Sequence, residues 1–152
     1  MLYGGVLSLG NIFQDVNIIN SKFYNNKATI SGGVIIGSAF QQNLNIINCQ
    51  FSGNYAKTAG VLRLIEQSGT VNIKYSTFQN NGAETIGVMY SVLANSTLIE
   101  GSEFNYNYAE NDVGVLSMTN QNNTVILNST FYKNKASNKA VLQVDTKSNL
   151  TL

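Results

Sequence analysis

The side chains able to do chemistry are few in this chain, and they do not gather. It has no His, one Cys and eight carboxylates among 152 residues. Without His, proton transfer near neutral pH would fall to carboxylates or Lys. Asp15, Asp112 and Asp145 stand in different surroundings, and Glu66, Glu84, Glu100, Glu103 and Glu110 share no repeated position. Only Glu100 and Glu103 are close in sequence, and a solvated face accounts for them. The reading is therefore no catalytic pair, no metal site and no cofactor. A reactive thiol needs an electropositive, partly open setting. Cys49 instead falls in a file of small residues, where it is expected to be a buried, weakly polar filler.

Tyrosine and amide side chains are the other chemistry on offer. Tyr24, Tyr55, Tyr106, Tyr108 and Tyr132 lie among Asn25, Lys27, Asn80, Asn105, Lys133 and Lys135. A Tyr ring beside amides can stack on a sugar or anchor a protein partner. Tyr24, Asn25, Lys27, Tyr55, Tyr106, Tyr108, Tyr132 and Lys133 are the candidate contact face. Four Asn-x-Ser/Thr sequons, at Asn95, Asn122, Asn128 and Asn149, are candidate glycan acceptors if the chain is secreted by a eukaryotic route. Asn95 and Asn122 fall in variable connections, whereas Asn128 adjoins the small-residue file and is the less favoured acceptor.

A repeat positions these residues. Phe-x-x-Asn-x-Ala occurs at Phe23, Phe51, Phe78, Phe104 and Phe131, at intervals of 26 to 28 residues. A fixed period of that size marks a stacked solenoid. After each copy comes a small residue and an apolar pair: Gly33-Val34-Ile35, Gly60-Val61-Leu62, Gly87-Val88-Met89, Gly114-Val115-Leu116 and Ala140-Val141-Leu142. Alternation then predicts a first strand whose third position (Ser8, Ile36, Arg63, Tyr90, Ser117, Gln143) faces solvent and whose flanking positions face inward. A polar connection of variable length follows. A second strand is aligned on Ile18, Ile46, Ile73, Ile99 and Ile126, and three residues later comes the file Ser21, Cys49, Ser76, Ser102 and Ser129. A third strand at the Phe is less certain.

The expected fold is all-β, a right-handed parallel β-helix, since parallel crossovers are almost always right-handed. Its parts are a partial coil over 1–22, coils starting at Phe23, Phe51, Phe78 and Phe104, and a partial coil over 131–152. Gly4-Gly5-Val6 and Leu150-Thr151-Leu152 both match the middle of a repeat, so the chain is expected to be a stretch of a longer solenoid. In such a stack the Phe column becomes a ladder of rings. The Asn column (Asn26, Asn54, Asn81, Asn107, Asn134) becomes a turn ladder, because Asn tolerates the left-handed conformation and its amide can bridge coils.

Phe23-x-x-Asn26 with Gly32-Gly33-Val34-Ile35 is similar to the paired motif of the polymorphic outer membrane protein repeats. These are best known from chlamydial autotransporter adhesins and occur in surface proteins of eukaryotic microbes. Later copies keep Phe-x-x-Asn but reduce Gly-Gly to Ala59-Gly60, Ile86-Gly87, Val113-Gly114 and Lys139-Ala140. The resemblance implies a pectin-lyase-like β-helix and a surface role, often adhesion. Pectin-active proteins of that fold use clustered Asp with Arg, Lys, His or calcium, and no such cluster stands here.

The functional expectation is a non-enzymatic structural or adhesin-like module of a surface or extracellular protein. Its partners would be other coils or domains of the same protein, and a glycan or surface protein. Only 11% of residues are charged and the net charge is +1, which gives no field for nucleic acid. No apolar run reaches the ~20 residues of a membrane helix. One alternative is a fragment of a carbohydrate-active β-helix enzyme whose active site lies elsewhere. Ice binding ranks last, because Thr29, Thr58 and Thr85 do not form a continued, aligned file.

Overall fold

The computed structural model describes residues 5–39, 41–138, 141–145 and 149–152. Gly4, Lys139 and Ala140, which the repeat alignment uses, lie outside the described residues. The chain winds as a parallel β-solenoid of about five turns, with no helix among the described residues and so none long and apolar enough to cross a membrane.

The coils stack into four parallel sheets, the coil starting at Phe23 reaching the fourth only through a Lys27–Tyr55 bridge. The first sheet stacks Leu7–Gly10, Ile35–Ser38, Leu62–Ile65, Met89–Val92, Leu116–Thr119 and Leu142–Val144. The second stacks Val16–Ile19, Leu44–Ile47, Thr70–Lys74, Ser96–Glu100, Asn123–Leu127 and Asn149–Thr151. The third carries the Phe positions: Lys22–Tyr24, Gln50–Ser52, Thr77–Gln79, Glu103–Asn105 and Thr130–Tyr132. The fourth is made of two-residue strands, Tyr55–Ala56, Gly82–Ala83, Tyr108–Ala109 and Lys135–Ala136. Its strands are too short for periodicity to reveal, and only the pairing of one coil with the next makes them visible. The third strand expected at each Phe is present in every coil.

Register follows the sequence columns. Phe23 pairs with Phe51, Phe51 with Phe78, Phe78 with Phe104 and Phe104 with Phe131. Their rings stack at 4.7–4.9 Å between centroids and within 9° of parallel. That distance is the spacing of neighbouring strands, so backbone pairing itself dictates the stack. Ile46, Ile73 and Ile99 form a second inner wall, fully buried. Val34, Val61, Val88 and Val115, the Val identical in every copy, are fully buried as well.

Small residues sit where coils touch backbone to backbone. A methyl group on Gly33, Gly60 or Gly87 would lie 2.0–2.2 Å from the carbonyl oxygen of Gly60, Gly87 or Gly114 respectively. No neighbour can yield there, because the obstructing atom is main chain. The Ser file works as a set of caps. Cys49, Ser76 and Ser102 donate their backbone N–H to Ser76, Ser102 and Ser129 Oγ at 3.1–3.2 Å. Cys49 keeps this pattern, and its thiol, buried, lies 3.3 Å from both Ile18 O and Ile47 O.

The Asn column differs from expectation in one respect. The left-handed residue at that corner is the one before the ladder Asn: Asn25, Gly53, Asn80, Tyr106 and Lys133, with φ of 50–67°. Two further corners are turned the same way, by Asn11, Ala39, Glu66, Leu93 and Asn120, and by Asn20, Asn48, Tyr75, Gly101 and Asn128. The ladder Asn itself belongs to the interior. Asn54 N–H and Nδ2 both donate to Asn81 Oδ1 at 3.0 and 2.9 Å, and Asn54 Nδ2 also donates to Phe23 O at 3.0 Å. The pattern repeats through Asn107 and Asn134. Each amide thus satisfies a corner that would otherwise bury unpaired backbone groups.

Candidate contact face

Three files of side chains point outward around the Phe corner. They come from the last residue of each third-sheet strand, from the left-handed corner residue, and from the first residue of each fourth-sheet strand. Strand alternation turns the first file out because the Phe before it turns in. Tyr24, Tyr106, Tyr108 and Tyr132 are exposed, as are Asn25, Lys27 and Lys133, while Tyr55 is half-buried.

The structure divides these residues into three groups. Tyr24 stands at one end, its hydroxyl donating to Gln50 Oε1 at 2.5 Å. At the other end Tyr106 and Tyr132 meet edge to face at 5.6 Å, and Lys133 Nζ lies 5.7 and 5.0 Å from their ring centroids. Three rungs separate Tyr24 from Tyr106 and four separate it from Tyr132, ~14–19 Å at the usual strand spacing. The third group is a strip along the fourth sheet. Lys27 Nζ lies 5.5 Å from the Tyr55 ring centroid, and Tyr55 OH donates to Glu110 Oε1 at 3.3 Å. Burial, then the nearby Glu110 carboxylate, pushes the Tyr55 phenol above its ordinary range. Between Tyr55 and Tyr108 stands Gly82, and the Tyr108 ring occupies the space a Gly82 side chain would need, 2.2 Å from where its Cβ would be.

Tyr75 and Glu110 also belong to the outer surface, though neither stands in the candidate face expected from the sequence. Tyr75 is among the most exposed rings and lies over Gly101, its neighbour in the left-handed file. The signal available was its alignment with Asn20, Asn48, Gly101 and Asn128. Glu110 matters only as the partner of Tyr55 two coils away, a distance that column reading alone does not span.

The sequons fall on two kinds of site. Asn95 and Asn122 are exposed neighbours, with Asn122 Nδ2 donating to Asn95 Oδ1 at 2.9 Å. The Thr of each, Thr97 and Thr124, is fully buried. Asn128 is exposed at a left-handed corner, and Thr130 of its sequon is also exposed. Asn149 is exposed in the last strand.

The carboxylates have surface partners. Asp15 accepts from Asn43 N–H at 3.0 Å, Glu103 accepts from Asn105 Nδ2 at 3.2 Å, and Lys57 lies 3.7 Å from Glu84. Lys74 and Glu100 approach to 2.9 Å, and the hydrogen bond to Glu100 holds the ammonium above its ordinary range. Among the described residues no three of His, Cys, Asp and Glu converge on a common point.

No protein-family model, curated protein or solved structure matches this chain.

Proposed function

We propose that this chain is a rigid, non-enzymatic β-solenoid module of a cell-surface or extracellular protein, akin to the polymorphic outer membrane protein repeats. Its work would be contact through the outer tyrosines of the Phe corner. The observation that carries this reading is the division between columns. At the Phe corner the inward Phe and Asn files are uniform and engaged in stacking, whereas the outward files change residue at every coil and leave Tyr24, Tyr106, Tyr108 and Tyr132 exposed beside Lys and Asn. Exposed Tyr with two rotatable side-chain angles binds at low entropic cost, which suits a recognition surface.

The test is binding of the chain to glycan panels and to intact cells, with and without Tyr106→Ala and Tyr132→Ala together. The expected result is a loss of about tenfold or more in affinity, as for buried aromatic anchors, with an unchanged melting temperature. Binding that survives the double substitution would remove this corner as the contact face. Labelling of intact cells with an antibody to the chain is expected to stain the surface, and staining only after permeabilisation would overturn the surface role.

A further inference from the structure

One ladder position carries a chemical hazard that the others lack. Asn81 is followed by Gly82, the one Asn-Gly pair in the chain, whereas Lys27, Tyr55, Tyr108 and Lys135 follow the other four ladder residues. In an Asn-Gly pair the glycine nitrogen reaches the asparagine side chain with no Cβ in the way, so the amide is readily lost. Glycine is required here for another reason, since the Tyr108 ring fills the place of its Cβ.

The stacked coil closes each route to that reaction. Asn81 is 0% exposed. Its Oδ1 accepts from Asn54 N–H and Nδ2 at 3.0 and 2.9 Å, and its Nδ2 donates to Phe51 O and Asn107 Oδ1, both at 3.0 Å. The would-be nucleophile is engaged too, because Gly82 N–H donates to Asn54 O at 2.9 Å. The side chain therefore cannot turn onto the Gly82 nitrogen while its neighbours hold it.

We propose that Asn81-Gly82 is a latent deamidation site, silent in the stacked coil, whose reaction in an opened chain prevents that chain from restacking. In the step itself the Gly82 nitrogen loses its proton and bonds to Asn81 Cγ. The Cγ–Nδ2 bond breaks, ammonia leaves, and a five-membered succinimide remains. Water then opens the ring at either carbonyl, giving aspartate or isoaspartate, so one water is consumed and one ammonia released overall.

Neither product fits the ladder. Aspartate places a second acceptor oxygen against Phe51 O and Asn107 Oδ1, where Nδ2 had supplied two protons. Isoaspartate adds a carbon to the backbone and displaces Gly82 and Ala83 from their pairing with Tyr55 and Ala56 on one side and Tyr108 and Ala109 on the other. The opened chain thus carries a clock, and unfolding that lasts long enough becomes irreversible.

The experiment uses the unmodified chain, held in mildly alkaline buffer either folded or in concentrated urea. Samples are taken over time for peptide mass spectrometry and for return to urea-free buffer. In urea the acid forms are expected at Asn81 ahead of Asn54, Asn107 and Asn134. In the folded sample Asn81 should lag by about tenfold or more, since only opened molecules react. On return to buffer, the fraction that regains the native elution volume should contain Asn81 intact, with the reacted chains left outside it. Equal rates in the two samples would overturn the shielding. Reacted chains that co-elute with native protein and melt at the same temperature would overturn the lock.

Discussion

At the corner after the third sheet, an amide sits on an amide through five successive coils, and every described group of the ladder interior has a partner. At the corner after the first sheet, the corresponding inward positions hold Ile12, Gln67, Ala94 and Gln121. Both corners are turned by a left-handed residue and both face the core. Gln121 is well served there: its Oε1 accepts from Thr97 Oγ1 at 2.8 Å and Thr124 Oγ1 at 3.4 Å, and its Nε2 donates to Ser91 O at 3.4 Å. Gln67 is equally buried, yet among the described residues neither its Nε2 nor its Oε1 has a partner. The reason lies in the columns. The places of Thr97 and Thr124 are taken, around Gln67, by Leu44 and Val71. A buried amide thus stabilises this fold only where the adjoining coils repeat the chemistry it needs.

Substitutions can break the contrast between the uniform and the irregular corner. The largest effect should come from Phe78→Ala, which removes a fully buried ring stacked on both sides and is expected to cost ~3–5 kcal/mol by urea denaturation. Asn81→Ala follows. It strips the acceptor from Asn54 N–H and Nδ2 and the donor from Phe51 O, for a loss of about 3 kcal/mol as buried groups go unpaired. At the irregular corner the sign should reverse, with Gln67→Leu raising stability by ~1–2 kcal/mol because an unpartnered amide is replaced by an apolar group of similar reach. The smallest change is expected at Leu93, which adopts φ 61° with its side chain exposed. Leu93→Asn should gain up to ~1 kcal/mol, since Asn enters the left-handed region more readily. A melting temperature that falls on Leu93→Asn would show that the Leu side chain is held by contacts at that corner.

What was legible in the sequence follows the same contrast. The Phe, Ile, Val and Gly columns could be read because each buried position repeats one residue type, so the period exposes it. Sheet order and register came with them. The left-handed corners could not be read, since Ala39, Glu66, Leu93, Tyr75, Tyr106 and Lys133 occupy conformations that their types disfavour. Backbone bonding from the next coil imposes that geometry, as where Tyr75 N–H donates to Glu100 O at 2.9 Å and Tyr106 N–H to Tyr132 O at 3.0 Å. The preference of Asn for such turns drew attention to the ladder residue, when the turn belongs to its predecessor. The contact face was legible as a set of exposed tyrosines but not in its division, because Tyr108 leaning over Gly82 and Tyr55 reaching Glu110 depend on side-chain paths between coils.

Residues one period apart touch and act as one ladder. A double-mutant cycle on Asn54→Ala and Asn81→Ala tests this most directly. The paired loss should fall short of the sum of the single losses by at least ~0.5 kcal/mol, because the second substitution removes a group whose partner is already gone. Simple additivity of the two losses would contradict it.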